Sequence, residues 1–120
     1  MFDWIEKVFC KQKNLQEIYK GTNDLVNIVD VYNSATSAVV EIGEMLQTNT
    51  TWKKFVTGSK KEPVVNEEQF LEELADVFIY MFNVCIYAGV DANALKAAIN
   101  KKQDIVIRRF VNENDTKHSD

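Results

Sequence analysis

The 120-residue chain has room for one domain with a modest core, and 46% hydrophobic against 27% charged residues exclude a disordered segment. A formal net charge of -4, with Lys and Arg scattered rather than massed in a block, excludes a dedicated nucleic-acid surface. One proline and four glycines separate long apolar-periodic runs, which predicts an all-α fold, a bundle of four to five helices.

The first helix is predicted from about Asp3 to Tyr19, with Gly21 as its stop. Thr22, Asn23 and Asp24 supply N-cap chemistry for a second and longest helix, from about Asp24 to Gln47. From Thr48 to Asn66 the periodicity breaks, and Gly58, Ser59 and Pro63 mark a loop with one short helical turn near Trp52 to Phe55. A third helix is expected from Glu67 to Ala88, ended by Gly89. Asp91 then caps a fourth that runs to about Phe110. Residues 1–110 form a single domain in this reading, and residues 111–120, with the lone histidine His118, form a polar, frayed tail. Cys10 and Cys85, outside any CxxC pair, are expected as buried reduced thiols. The opening residues carry acids where a secretory signal needs bases, and the longest apolar run, Val77 to Val90, is too short to cross a bilayer. A cytoplasmic protein without membrane contact is expected.

Two helices combine apolar surface with a narrow polar line. On the third, Glu73, Asp76, Tyr80, Asn83 and Tyr87 follow steps of three and four, so they share one face. The second repeats the pattern with Asp30, Ser34, Ser37, Glu41, Glu44 and Thr48. Either each line faces solvent, or the two face each other around something positively charged. Solvent faces are wider and mix in Lys, Arg and Gln. These lines are narrow and contain no base, which favours the second explanation. Four carboxylates, Glu41, Glu44, Glu73 and Asp76, then share a low-dielectric space and need cations to offset their repulsion. Oxygen-only ligands select Mg²⁺, with Mn²⁺ as substitute, and such a site suits phosphoryl chemistry. Di-iron bundles need Glu-x-x-His, which is absent here, as are a Walker loop and a GxGxxG turn.

Glu41-x-x-Glu44 on one helix and Glu73-x-x-Asp76 on the next resemble the paired acidic signature of the all-α nucleoside triphosphate pyrophosphatases. That superfamily includes MazG-like enzymes, dCTP pyrophosphatases and dimeric dUTPases. "KVFCKQKNLQEIY", "EIGEMLQTNTTWKKF", "EELADVFIYMFNVCIYAG" and "NKKQDIVIRRF" are similar to successive segments of the dimeric dUTPases, over roughly residues 5 to 110. The resemblance implies Mg²⁺-dependent hydrolysis of a deoxynucleoside triphosphate, dUTP first, to the monophosphate and pyrophosphate. Glu41, Glu44, Glu73 and Asp76 become metal ligands, and a glutamate of the first pair orients or deprotonates the attacking water. Glu72, four before Asp76, fits the signature less well than Glu73. Gln12 takes the uracil edge, Trp52 and Lys53 the pocket mouth, Asn83 the sugar or base, and Lys102 and Arg109, with Arg108 as alternative, the phosphates. The chain differs from the family pattern at Val106, where an asparagine is common, and at Ile79, where a histidine is. A homodimer or homotetramer is implied. Another base preference, or a helical module that binds nucleotide without cleaving it, are the alternatives.

Overall fold

Asp3 begins the first helix through a reciprocal capping box. Its side chain accepts the Glu6 N–H at 2.9 Å, and the Glu6 carboxylate accepts the Asp3 N–H at 3.3 Å, so two backbone donors with no helical partner are satisfied together. The computed structural model describes residues 3–49, 58 and 65–118, with side chains as far as residue 114. Four helices make up the all-α fold over these residues: α1 (Trp4–Lys20), α2 (Ile28–Thr48), α3 (Glu67–Tyr87) and α4 (Ala92–His118).

Two boundaries differ from the sequence-based expectation. α2 starts at Ile28 rather than Asp24, because Asn27 is the cap: its side chain accepts from the Val29 and Asp30 N–H groups at 2.9 and 3.2 Å. Its own N–H donates to the Tyr87 carbonyl at 2.9 Å, a tertiary tie that no local pattern announces. Thr22 instead closes the connecting turn, accepting the Asp24 N–H at 3.1 Å. α4 runs on beyond Phe110 to His118, since the polar residues there include neither Gly nor Pro to stop it.

α2 and α3 are antiparallel and joined at both ends. Asn27 meets Tyr87 at one end, and at the other the Asn66 N–H donates to the Thr48 carbonyl at 2.9 Å, beside a bridge between Asn49 and Val65. α1 lies along α3. Phe9 meets Phe82 edge to face at 5.9 Å between ring centroids, and Phe9, Leu25, Ile86 and Tyr87 form the core. Cys85 is half-buried, but Cys10 is exposed rather than buried, because α1 packs through only one of its faces.

α3 ends in a tight turn with Gly89 at φ 76°, a left-handed conformation that glycine adopts without strain. From there α4 leaves α3 at 113° and touches the start of α1 instead, where the Lys96 ammonium pairs with Asp3 and, at 3.1 Å, with Glu6. The apolar surfaces of the two helices are open in places: Leu71, Phe78 and Met81 on α3, and Val29, Val39 and Val40 on α2, are exposed. Among the described residues no single helix is long and apolar enough to cross a membrane.

Candidate active site

One helical turn separates Glu41 from Glu44 on α2, and one turn separates Glu73 from Asp76 on α3, so each pair points from one face of its helix. The antiparallel pairing brings the two faces together. Carboxylate oxygens of Glu41, Glu73 and Asp76 all lie within 4.8 Å of one another. Glu44 is exposed at the edge of this group, close enough for its charge to act on Glu41. The polar line of α2 faces inward as well, with Ser34 and Thr48 buried.

Crowding changes the chemistry of Glu41. Its pKa is pushed up from 4.5 to about 7, first by the hydrogen bond its acid form shares with Glu73, then by desolvation, then by the charges of Glu44, Asp76 and Glu73. Oε2 of Glu41 and Oε2 of Glu73 are buried, and among the described residues neither of these two oxygens has a hydrogen-bond partner. Buried acceptors without donors are costly. Among the described residues the ion pairs are Lys20 with Asp30 and Lys96 with Asp3 and Glu6, and none reaches the acidic group. An all-oxygen donor set with unpaired buried oxygens and excess negative charge fits a hard divalent cation such as Mg²⁺ or Mn²⁺.

Further along α3, the polar line continues into a second arrangement. Asn83, two turns or about 10 Å of axial rise beyond Asp76, is buried and accepts a 2.8 Å hydrogen bond from Gln12 Nε2 on α1. One turn on, the Tyr87 hydroxyl donates to Gln16 Oε1. Burial raises the Tyr87 pKa. Lys20 closes this end, 3.0 Å from Asp30 and over the Tyr87 ring at 5.6 Å. Sequence reasoning singled out Gln12 but passed over Gln16 and Lys20; the i, i+4 spacing of Gln12 and Gln16, matching that of Asn83 and Tyr87, was the available signal.

Among the described residues, the expected basic contacts on α4 are not gathered beside the acids. Trp52 and Lys53 lie outside the described residues. Lys102, Arg108 and Arg109 are exposed on α4, which packs against α1 rather than along α2 or α3. Lys102 borders a shallow concavity of about 510 Å³ formed by one stretch of α4 alone, away from the acids. Ile79 is exposed beside Gln12 in an apolar depression shared with Leu15 and Ile18.

The sequence model of the dUTPase family matches residues 4–117, across all four helices, and the chain is a member of that family. Searches among curated proteins and among solved structures gave no match.

Proposed function

We propose that the chain hydrolyses dUTP to dUMP and pyrophosphate with Mg²⁺, acting as a homodimer or homotetramer. The observation that carries this reading is the convergence of Glu41, Glu73 and Asp76 oxygens within 4.8 Å, two of the carboxylates having a buried oxygen without a partner among the described residues. Glu41, Glu44, Glu73 and Asp76 hold the cation in this reading. When bound, Mg²⁺ neutralises the triphosphate oxygens and makes approach to the carboxylates possible.

The chain's own residues supply the rest. A glutamate of the first pair, Glu41 or Glu44, takes a proton from the attacking water, whose oxygen bonds to phosphorus as pyrophosphate leaves with the electrons of the broken P–O bond. Gln12 and Asn83 already form a donor–acceptor pair at 2.8 Å, and an amide pair of this kind exchanges its mutual bond for the complementary edge of a uracil. Lys53, Lys102 and Arg109 contact the phosphates, and Trp52 covers the base.

Pyrophosphate release from dUTP, dCTP, dTTP, dATP, dGTP and the ribonucleotides, with and without Mg²⁺, tests the proposal. Release from dUTP well above the rest, and none without a divalent cation, is expected. Preference for dCTP or a purine would overturn the base assignment. Thermal stabilisation by Mg²⁺ and nucleotide with no product would overturn the catalytic one.

A further inference from the structure

Gln12, Gln16 and Lys20 follow one another along α1 at steps of four, so they stand in a row on one face. Two of them meet a matching row on α3. Gln12 Nε2 donates to Asn83 Oδ1 at 2.8 Å, and the Tyr87 hydroxyl donates to Gln16 Oε1. Both pairs are 71 residues apart in sequence, so α1 and α3 run parallel here and advance in step. Four residues give about 6 Å of rise on either helix, which makes the two hydrogen bonds successive rungs between them.

Tyr87 is the point where three helices are tied, and it is only 4% exposed. A buried tyrosine hydroxyl needs a partner, and here the partner belongs to the helix that carries Gln12. Lys20 of the same helix lies over the Tyr87 ring at 5.6 Å and pairs with Asp30 of α2 at 3.0 Å. The Tyr87 carbonyl accepts the N–H of Asn27, the cap of α2, at 2.9 Å.

The Gln12–Asn83 pair does not hold its own geometry. The net stabilisation by one hydrogen bond is small beside the rotamer entropy of a glutamine. A slip of α1 by one residue would carry Gln12 about 1.5 Å along the helix and turn it about 100° away from Asn83. Phe9 against Phe82 resists separation of the two helices, but apolar contact is non-directional. The Gln16–Tyr87 bond is directional and stands one turn from the amide pair.

We propose that Gln16 and Tyr87 are positioning residues for base recognition: their hydrogen bond, steadied by Lys20 on Asp30, fixes α1 against α3 so that the Gln12 amide is presented beside Asn83. This deepens, and rests on, the reading of Gln12 and Asn83 as base contacts. Tyr87 lies eleven residues beyond Asp76, about 16 Å of rise, so the cation and the attacking water are out of its reach.

Tyr87→Phe removes the hydroxyl and keeps the buried ring, and Gln16→Leu removes its partner from the other helix. Each is expected to raise KM for dUTP by about three- to tenfold, the range of one hydrogen bond, and to narrow the preference for dUTP over dCTP, with kcat retained. Loss of structure reads differently, since fewer active molecules lower kcat and leave KM and preference as they were. A fall in kcat alone, or an unchanged KM and preference in a folded variant, would overturn the proposal. Should Tyr87→Phe not fold, Gln16→Leu decides, because Gln16 is only half-buried.

A second readout needs no turnover. Nitrogen relaxation of the Gln12 side-chain amide, assigned with Gln12→Glu, is expected to show an ordered amide in the native chain and a mobile one in Tyr87→Phe. An amide equally ordered in both would overturn the proposal. A native chain that releases no pyrophosphate, with the Gln12 amide still loosened by Tyr87→Phe, would count against the catalytic reading and support the coupling.

Discussion

The two flanks of α3 reverse the usual distribution of a small globular helix. On the flank against α2, where apolar side chains are expected, Glu73 and Asp76 meet Glu41 within 4.8 Å. On the outer flank, where charge is expected, Leu71, Phe78 and Met81 stand exposed. Charge inside is costly without a counter-charge, whereas exposed apolar side chains are tolerated and only a large contiguous patch marks an interaction surface. In the proposed reading the first flank is the site, and the second is an apolar face left open among the described residues.

The largest effect belongs to the inner flank. Glu41→Gln or Asp76→Asn is expected to cut pyrophosphate release by about 10²–10³-fold, the scale on which losing a transition-state charge stabiliser acts, with circular dichroism unchanged. Full Mg²⁺-dependent activity in both variants would remove the site.

Next comes the packing that fixes the inner flank. Phe9→Ala empties the core position against Phe82 and Ile86 and is expected to cost about 3–5 kcal/mol in urea unfolding. A cost under about 1 kcal/mol, the level of ordinary surface substitutions, would show that α1 is not packed as described. Gly89→Ala sharpens the outer flank. It puts a side chain at φ 76°, its Cβ 3.2 Å from Val26 Cγ2, and the left-handed backbone alone costs roughly 1–2 kcal/mol. A neutral Gly89→Ala would contradict the α3–α4 turn.

The smallest effect is a pH dependence with a definite sign. Folded Glu41 titrates near 7 and an ordinary glutamate near 4.5, so between these values the folded chain keeps a proton that the unfolded chain has lost. Raising the pH through that window removes stability, and above about 7 the loss is complete. Tm of the cation-free protein is expected to fall there, and Mg²⁺ to restore it. Glu41→Gln is expected to flatten the curve. Asp3, held below its usual 3.8 by Lys96, works in the other direction only at lower pH. A Tm that rises across the window would contradict the inward acids.

Helix content and the acid pairing were legible because both depend on a 3.6-residue period. Glu41, Glu44, Glu73 and Asp76 stand out as acids on otherwise apolar helices. The start of α2 was not legible, since Asp24 and Asn27 both have cap chemistry and the choice is made by the Tyr87 carbonyl far along the chain. Gln16 and Lys20 look like ordinary surface residues until Tyr87 and Asp30 arrive beside them. Hydrophobicity alone does not tell which apolar faces are covered, and Phe78 stands exposed.

The most direct test of the inward acids is a crystal grown with Mn²⁺ and measured for anomalous scattering. The account predicts a peak between Glu41, Glu73 and Asp76, lost in Glu41→Gln. Saturating Mn²⁺ with no peak there, and the carboxylates turned outward to water, would contradict it.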